Sequence, residues 1–262
     1  MTETIDGSGS ERARCLLAPN PSPMTLDGTN TWLLAEPDAR QAVVVDPGPD
    51  DQGHLHRVAA EADGRGLRVA LILLTHGHPD HSAGAARFSG LTGAPVRALD
   101  PAYRLGGEGL GEGDVVEVAG LEVRVLATPG HSGDSLCFVL PADEVLLTGD
   151  TVLGRGTTVI AEDGRLGDYL ASLDRLRELA DVPEMRTLLP GHGPVLHDPI
   201  GVLDHYVAHR RERLEQVESA LAAGDRTPRE IVQRVYGDVA PSLWPAAEHS
   251  VQAQLDYLQR PS

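Results

Sequence analysis

Short apolar runs alternate with turn-rich segments over the first three quarters of the chain. Eight runs rich in valine and leucine, each bordered by Gly, Pro or Asp, predict β-strands. They cover residues 30–35, 41–47, 68–76, 114–120, 121–129, 135–141, 144–150 and 185–191. Between them the pattern predicts helices over residues 51–64, 80–88 and 168–180, the last with leucines at helical spacing. Strands that alternate with helices indicate an α/β fold in which the helices pack outside the sheets.

The pattern changes near residue 199 and becomes helical to the end of the chain. An apolar stripe runs to Gly224 and is formed by Leu203, Tyr206, Leu214, Val217 and Leu221. Two further helices are predicted over 227–237, with Thr227 as N-cap, and over 241–259. We therefore predict a flexible tail over residues 1–13, a main α/β domain over 14–198 and a small all-helical domain over 199–262.

Composition limits the cellular compartment and the classes of partner that the sequence predicts. Cys15 and Cys137 are the two cysteines and are far apart, which argues against a disulfide framework and fits a reducing compartment. The N-terminus has no apolar signal segment, and no run approaches the roughly 20 apolar residues of a membrane span, so we expect a cytoplasmic protein without membrane contact. The net charge of −17, with no lysine in the chain, disfavours polyphosphate partners.

Four short motifs rich in histidine and aspartate follow predicted strands. They are HGHPDH (76–81), PGH (129–131), TGD (148–150) and PGHG (190–193). Strand ends on one edge of a sheet can converge, so we expect one site. Its candidate ligands are His76, His78, Asp80, His81, His131, Asp150 and His192. Imidazole and carboxylate ligands suit zinc, and also iron or manganese, and seven of them suit two ions that share a carboxylate.

The order of these motifs resembles the signature of the metallo-β-lactamase superfamily. The resemblance implies an αββα sandwich for residues 14–198. It also implies one metal held by His76, His78 and His131, a second held by Asp80, His81 and His192, and Asp150 as the bridge. Two zinc ions would then activate a bridging hydroxide, with Asp80 and Asp150 as the catalytic carboxylates. Asp46 in VVVDP resembles the early aspartate that supports a ligand histidine from behind.

Longer stretches, among them NPSPMTLDGTNTWLL and LTGDTVLGRGTTVI, resemble the lactamase-like type-2 branch, which includes single-strand endoribonucleases. Residues 199–262 resemble the small winged-helix domain of that branch, truncated before its wing strands. The predicted last helix, 241–259, contains no arginine, so we expect no sequence-specific DNA binding.

Three residues are further candidates for contact with substrate. Arg155 and Thr157 lie in GRGTTVI (154–160), which we expect at the pocket mouth, and Tyr169 is a weaker candidate because packing at the start of its helix is favoured. The leading hypothesis is a dinuclear zinc hydrolase for a small ester, thioester or lactone-type substrate. A metal-dependent RNA endonuclease is the first alternative, with a basic track formed by Arg155, Arg210, Arg211 and Arg213. A winged-helix nucleic-acid-binding regulator with a non-catalytic lactamase domain is the second. The oligomeric state stays open.

Overall fold

The computed structural model describes residues 4–181, 185–237 and 240–259. Its strands are β1 (Ala13–Leu17), β2 (Asn30–Leu34), β3 (Gln41–Val45), β4 (Arg68–Leu73), β5 (Val96–Arg97), β6 (Val115–Val118), β7 (Leu121–Ala127), β8 (Leu136–Leu140), β9 (Val145–Gly149) and β10 (Thr187–Pro190). Its α-helices are α1 (Gln52–Gly64), α2 (Pro79–Ser82), α3 (Ala85–Thr92), α4 (Leu166–Asp181), α5 (Pro199–Ala222), α6 (Pro228–Val235) and α7 (Trp244–Leu258). One sheet has the order β1-β2-β3-β4-β5 and the other the order β10-β9-β8-β7-β6.

The two sheets pack face to face, with helices on both outer faces. In β3, Val43 and Val45 point into the core between the sheets, whereas Ala42 and Val44 pack against α1 and α3 on the outside. This alternation is the period of two expected of a strand, and here both faces are apolar because both are covered. The second sheet has α4 and α5 on its outer face. The predicted αββα sandwich is confirmed.

The N-terminal segment is held against the edge of the first sheet. Gly7 N donates to Cys15 O at 2.9 Å, and Cys15 N donates to Ser8 O at 2.8 Å. The Asp6 carboxylate accepts a hydrogen bond of 2.8 Å from Leu17 N. Residues of the predicted tail thus pair with a strand edge through their backbone, which needs no apolar side chains, while the flexibility of residues 1–13 stays a prediction. Residues 1–3 lie outside the described part.

The C-terminal helices form a second, smaller core. Val217 and Ala220 near the end of α5 pack with Ile231 of α6 and Val251 of α7. Earlier on the same helix, Leu203 packs with α4 against the second sheet. After β10 the described residues contain helices and turns but no further strand, in agreement with the predicted helical domain. None of the described helices combines the length and the apolarity that a membrane crossing requires.

Candidate metal centre

The predicted ligands converge at one edge of the sandwich, just past the carboxyl ends of four strands. β4 leads into the loop and the short helix α2 that carry the first motif, and β7, β9 and β10 each lead into one further ligand. The candidate ligands form three overlapping sets, and within each set the ligand atoms lie within 4.8 Å of one another. The sets are His76, His78 and His131; His76, His81 and Asp150; and Asp80, His81 and His192. The structure thus brings all seven residues into one site.

The five histidines form two groups in which ring nitrogens lie at hydrogen-bond distance from one another. His78 Nδ1 is 3.0 Å from His76 Nε2 and 3.0 Å from His131 Nε2. On the other side of the site, His81 Nε2 is 3.2 Å from His192 Nε2. Four of these rings are buried, and His78 is half-buried. The rings are therefore crowded around a common centre away from bulk water.

Acceptors behind the rings fix the tautomers of three of these histidines. The Nδ1 atoms of His131, His81 and His192 lie 2.7 Å from Val159 O, 2.8 Å from Asp46 Oδ2 and 3.1 Å from Gly28 O. Carbonyl and carboxylate oxygens can only accept, so each Nδ1 carries the hydrogen and the neutral ring keeps its lone pair on Nε2. The Nε2 atoms of His81 and His192 then face each other with two lone pairs, an arrangement that fits a cation placed against them.

Two carboxylates complete the site. Asp150 Oδ2 lies 3.3 Å from His192 Nε2 and 3.7 Å from His131 Nε2, and Asp80 Oδ2 lies 3.2 Å from His192 Nε2. The buried Asp150 Oδ1 has no hydrogen bond among the described residues. A buried acceptor without a donor is costly unless a cation or water satisfies it, so the donor set fits a divalent metal ion.

The charges within the site reinforce one another. Burial opposes ionisation of Asp80, but His81 and His192 outweigh it and lower the pKa of Asp80 to about 2. Burial likewise disfavours the charged form of His192, but Asp150 and Asp80 raise its pKa to about 9. The carboxylates thus stay ionised and attract positive charge to the ring nitrogens. A divalent cation in the same place would take over that role from the proton.

Asp46 lies behind His81, where the sequence placed a supporting carboxylate. Its Oδ2 accepts from His81 Nδ1 at 2.8 Å and from Thr75 Oγ1 at 2.7 Å, and its Oδ1 accepts from Thr75 N at 2.8 Å. Asp46 has a φ of 52°, in the left-handed region that non-glycine residues seldom occupy. These hydrogen bonds hold the strained residue and orient the His81 ring.

One glycine allows the close approach of the ligand loops. A Cβ on Gly191 would lie 2.5 Å from Asp150 Oδ1 and 2.8 Å from His81 Cε1. Such distances leave no room for a side chain, so the packing of Asp150 and His81 requires glycine at position 191.

The three sequence candidates for substrate contact are placed elsewhere. Arg155 is exposed and forms an ion pair with Asp27, and Tyr169 is buried with its hydroxyl donating to Thr151 O at 2.6 Å. The residues that line the cleft at the metal centre include neither of these, nor Thr157. None of the three lines the cleft, and their contact with substrate stays a prediction. They lie outside it because the segment after Asp150 turns Arg155 outward to Asp27 and is held from behind by α4.

Three further residues lie near the site: Asn30 in DGTNTW was only a weaker candidate for substrate contact in the sequence, and Thr158 and His249 were not predicted. Asn30 Nδ2 donates to Pro190 O and Gly193 O at 2.9 Å each, which fixes the loop around His192. Thr158 Oγ1 donates to Asp150 O at 2.7 Å. His249 on α7 lines the cleft, although the sequence favoured an ordinary surface histidine. Only Asn30 and Thr158 lie next to recognisable motifs, so only they carried a local signal.

A cleft of about 840 Å³ opens onto the metal centre. Its walls come from the loop at 22–24, from residues 159–163 and from the start of α7. Apolar members are Pro23, Met24, Val159, Ala161, Leu243, Pro245 and Ala246. Glu162 and Asp163 are its acidic members besides the candidate ligands, and no arginine is among the residues that line it. The cleft therefore offers an apolar surface and negative charge beside the candidate ligands.

Two family descriptions match the chain. Residues 24–192 match the description "Metallo-beta-lactamase superfamily", and residues 227–260 match "Beta-lactamase associated winged helix domain". The first match contains all seven candidate ligands, and the second covers α6 and α7.

Proteins of similar sequence and structure agree with these matches. A Beta-lactamase-like protein 2 homolog from Drosophila melanogaster is 31% identical, covering 94% of this chain and 87% of that protein. An atrochrysone carboxyl ACP thioesterase from Aspergillus chevalieri is 34% identical, covering 86% of this chain and 73% of that protein. A metallo-beta-lactamase family protein from Thermus thermophilus superposes with a TM-score of 0.79 at 26% identity, covering 94% of this chain and 93% of the other.

Proposed function

The chain belongs to the metallo-β-lactamase superfamily and is a hydrolase of that fold, and we propose that it is a dinuclear zinc enzyme that cleaves a small ester, thioester or lactone-type substrate. The observation that carries the choice of substrate is the cleft. It joins an apolar wall to the candidate metal ligands, and none of the residues that line it is an arginine.

Metal binding is implied by the family and by the histidine and aspartate cluster. We assign His76, His78 and His131 to one ion, and Asp80, His81 and His192 to the other. Asp150 would bridge the two ions, which is supported by its Oδ2 facing His131 of the first set and His192 of the second. Zinc suits histidine with carboxylate ligands, and iron or manganese would use the same donors.

When bound, the metal ions supply a water of lowered pKa and a positive charge that polarises the carbonyl group under attack. The protein contributes the rest. Asp80 lines the cleft and stays ionised at neutral pH, so it can accept a hydrogen bond from a water molecule and orient it. Asp46 and Gly28 hold the rings of His81 and His192 in the tautomer with Nε2 free. Apolar side chains of the cleft position the acyl group and keep bulk water away from it.

The charges of the cleft favour an acyl substrate over RNA. Glu162 and Asp163 would repel phosphate, whereas binding of a nucleic-acid backbone requires clustered positive charge. The arginines that the sequence offered as a basic track do not line the cleft, since Arg155 pairs with Asp27 and Arg213 stacks on Tyr236. The similarity to a protein named as a thioesterase supports an acyl thioester in particular.

The test compares zinc-loaded wild type, Asp150→Ala and the surface control Asp38→Ala on three substrate types. Acyl thioesters of increasing chain length are followed by release of free thiol, lactones by release of acid, and end-labelled single-stranded RNA by electrophoresis. We expect acyl substrates to be cleaved by the wild type and by D38A but not by D150A, with kcat/KM rising with apolar chain length.

Metal-dependent cutting of RNA, without turnover of acyl substrates, would instead make the protein an endoribonuclease. Tight, salt-dependent binding of duplex DNA without any hydrolysis would favour the winged-helix regulator.

A further inference from the structure

Arg210 is a buried cation in the middle of α5, only 3% exposed. In the described part of the chain, its contacts are a backbone carbonyl and an aromatic ring rather than a carboxylate. Its Nη2 donates to Thr158 O, and its guanidinium lies 4.9 Å from the centroid of the Tyr169 ring. Its Nε is buried without a hydrogen bond. Burying a guanidinium without a carboxylate is unfavourable, so its placement calls for a role beyond packing.

The segment that Arg210 holds contacts two candidate ligands. Thr158 Oγ1 donates to the backbone oxygen of Asp150 at 2.7 Å. The next residue, Val159, accepts a hydrogen bond of 2.7 Å on its backbone oxygen from His131 Nδ1. A hydrogen bond from Arg210 to Thr158 O therefore fixes the short segment whose Thr158 side chain contacts Asp150 and whose Val159 carbonyl contacts His131.

Neighbouring helices support the same loop. Tyr169 on α4 donates from its hydroxyl to Thr151 O at 2.6 Å, and Leu153 N donates to the hydroxyl of Tyr206 on α5 at 2.8 Å. These two contacts hold the beginning of the loop, whereas Arg210 holds its end, where it meets His131.

We infer that Arg210 is a positioning residue for the metal centre, acting through Thr158 and Val159 on Asp150 and His131. This inference rests on the two-metal site proposed above. His131 belongs to one ligand set, while His81 and His192 of the other are oriented separately by Asp46 and Gly28. Loss of Arg210 should thus lower the affinity for the ion held by His76, His78 and His131 more than the affinity for the second ion. A residue that only stabilised the fold would affect both ions alike.

The test titrates metal-free protein with zinc against a competing chelator and measures each equivalent separately. The variants are Arg210→Met, Arg210→Lys and Thr158→Val. Arg211→Met is the matched control, because Arg211 is exposed on the same helix. The thermal midpoint of each metal-free variant is recorded alongside.

For R210M we expect one equivalent of zinc to bind about 10-fold or more weakly, as is typical when a residue behind a ligand is lost. The other equivalent should lose much less affinity, because Asp150 is the one ligand of this segment that the two ions share. R210K keeps a cationic donor and should recover part of the affinity, and R211M should match the wild type.

The inference would be overturned if R210M bound both zinc equivalents with wild-type affinity, or if both lost affinity equally. Either result would leave the two-metal hydrolase intact. Wild type that binds no zinc would overturn the proposed function, and this inference with it. If R210M does not fold, the role is supported by a selective loss in R210K together with weaker binding of both equivalents in T158V, whose missing hydroxyl contacts the shared ligand Asp150. Full affinity in both variants refutes it.

Discussion

Replacement of Asp46 by asparagine should weaken metal binding while leaving the fold in place. Asp46 is buried, and its two oxygens accept three hydrogen bonds, from Thr75 N, Thr75 Oγ1 and His81 Nδ1. Asparagine has the same shape but only one acceptor oxygen, and its amide group donates. If the remaining oxygen keeps the bond to Thr75 N, the amide faces the N–H of His81.

His81 can then either leave its N–H unsatisfied or move the hydrogen to Nε2. A buried donor without an acceptor costs about 1–3 kcal/mol. The second outcome removes the lone pair that faces His192, 3.2 Å away, and with it one metal ligand. Since about 1.4 kcal/mol corresponds to a factor of ten in affinity, D46N should lower zinc affinity on the order of 10- to 100-fold.

The measurement is a zinc titration of metal-free D46N beside wild type, with Asp51→Asn as the matched control. Asp51 is exposed and caps α1 by accepting from His54 N, a role that asparagine also fills, so D51N should bind zinc normally. Wild-type affinity in D46N would refute the argument that the carboxylate sets the tautomer of His81.

Three further outcomes can be measured. Gly191→Ala should lower the zinc content of purified protein, because its Cβ would lie 2.5 Å from Asp150 Oδ1. Gly90 has open space around it, so Gly90→Ala should keep the wild-type zinc content. Equal zinc content in both variants would contradict the packing argument. Removal of zinc by a chelator should lower the thermal midpoint, since an ion at about 1,000 times its Kd adds about 4 kcal/mol to the free energy of unfolding; an unchanged midpoint would count against a metal held by the folded state. Burial and the nearby Arg57 lower the pKa of His54 from 6.5 to about 4, so the unfolded chain takes up the proton first as the pH falls. The free energy of unfolding should thus drop by about 3 kcal/mol between pH 6.5 and 4, and urea unfolding of His54→Gln should lack this component; equal pH dependence in the two proteins would contradict it.

The strand pattern anticipated much of the sandwich because its strands are buried and rich in Val and Leu. The runs missed are β1 and β5. β5 has two residues, and its pairing with β4 is a tertiary contact that no local pattern encodes. The predicted helix over 80–88 is divided into α2 and α3. Gly84 at the division lies so close to the loop before α1 that a Cβ there would be 2.9 Å from Gly48 O.

The candidate ligands were predictable because each follows a strand at a motif of its own, whereas the cleft was not. Its walls join the loop at 22–24, residues 159–163 and the start of α7, segments far apart in the chain. Arg210 shows a signal that went unused. It stands four residues after Tyr206 and four before Leu214, on the predicted apolar stripe of its helix, and so was placed to face the core rather than solvent.

The packing of α5 makes the C-terminal helices part of the catalytic architecture. Tyr206 and Arg210, in the first part of α5, hold the loop behind Asp150, while Val217 further along packs with α6 and α7. α7 in turn presents Pro245 and His249 to the cleft. A shift of α6 and α7 would therefore move one cleft wall directly and disturb the helix that supports the metal centre. The C-terminal helices therefore have a structural role at the cleft and behind the metal centre.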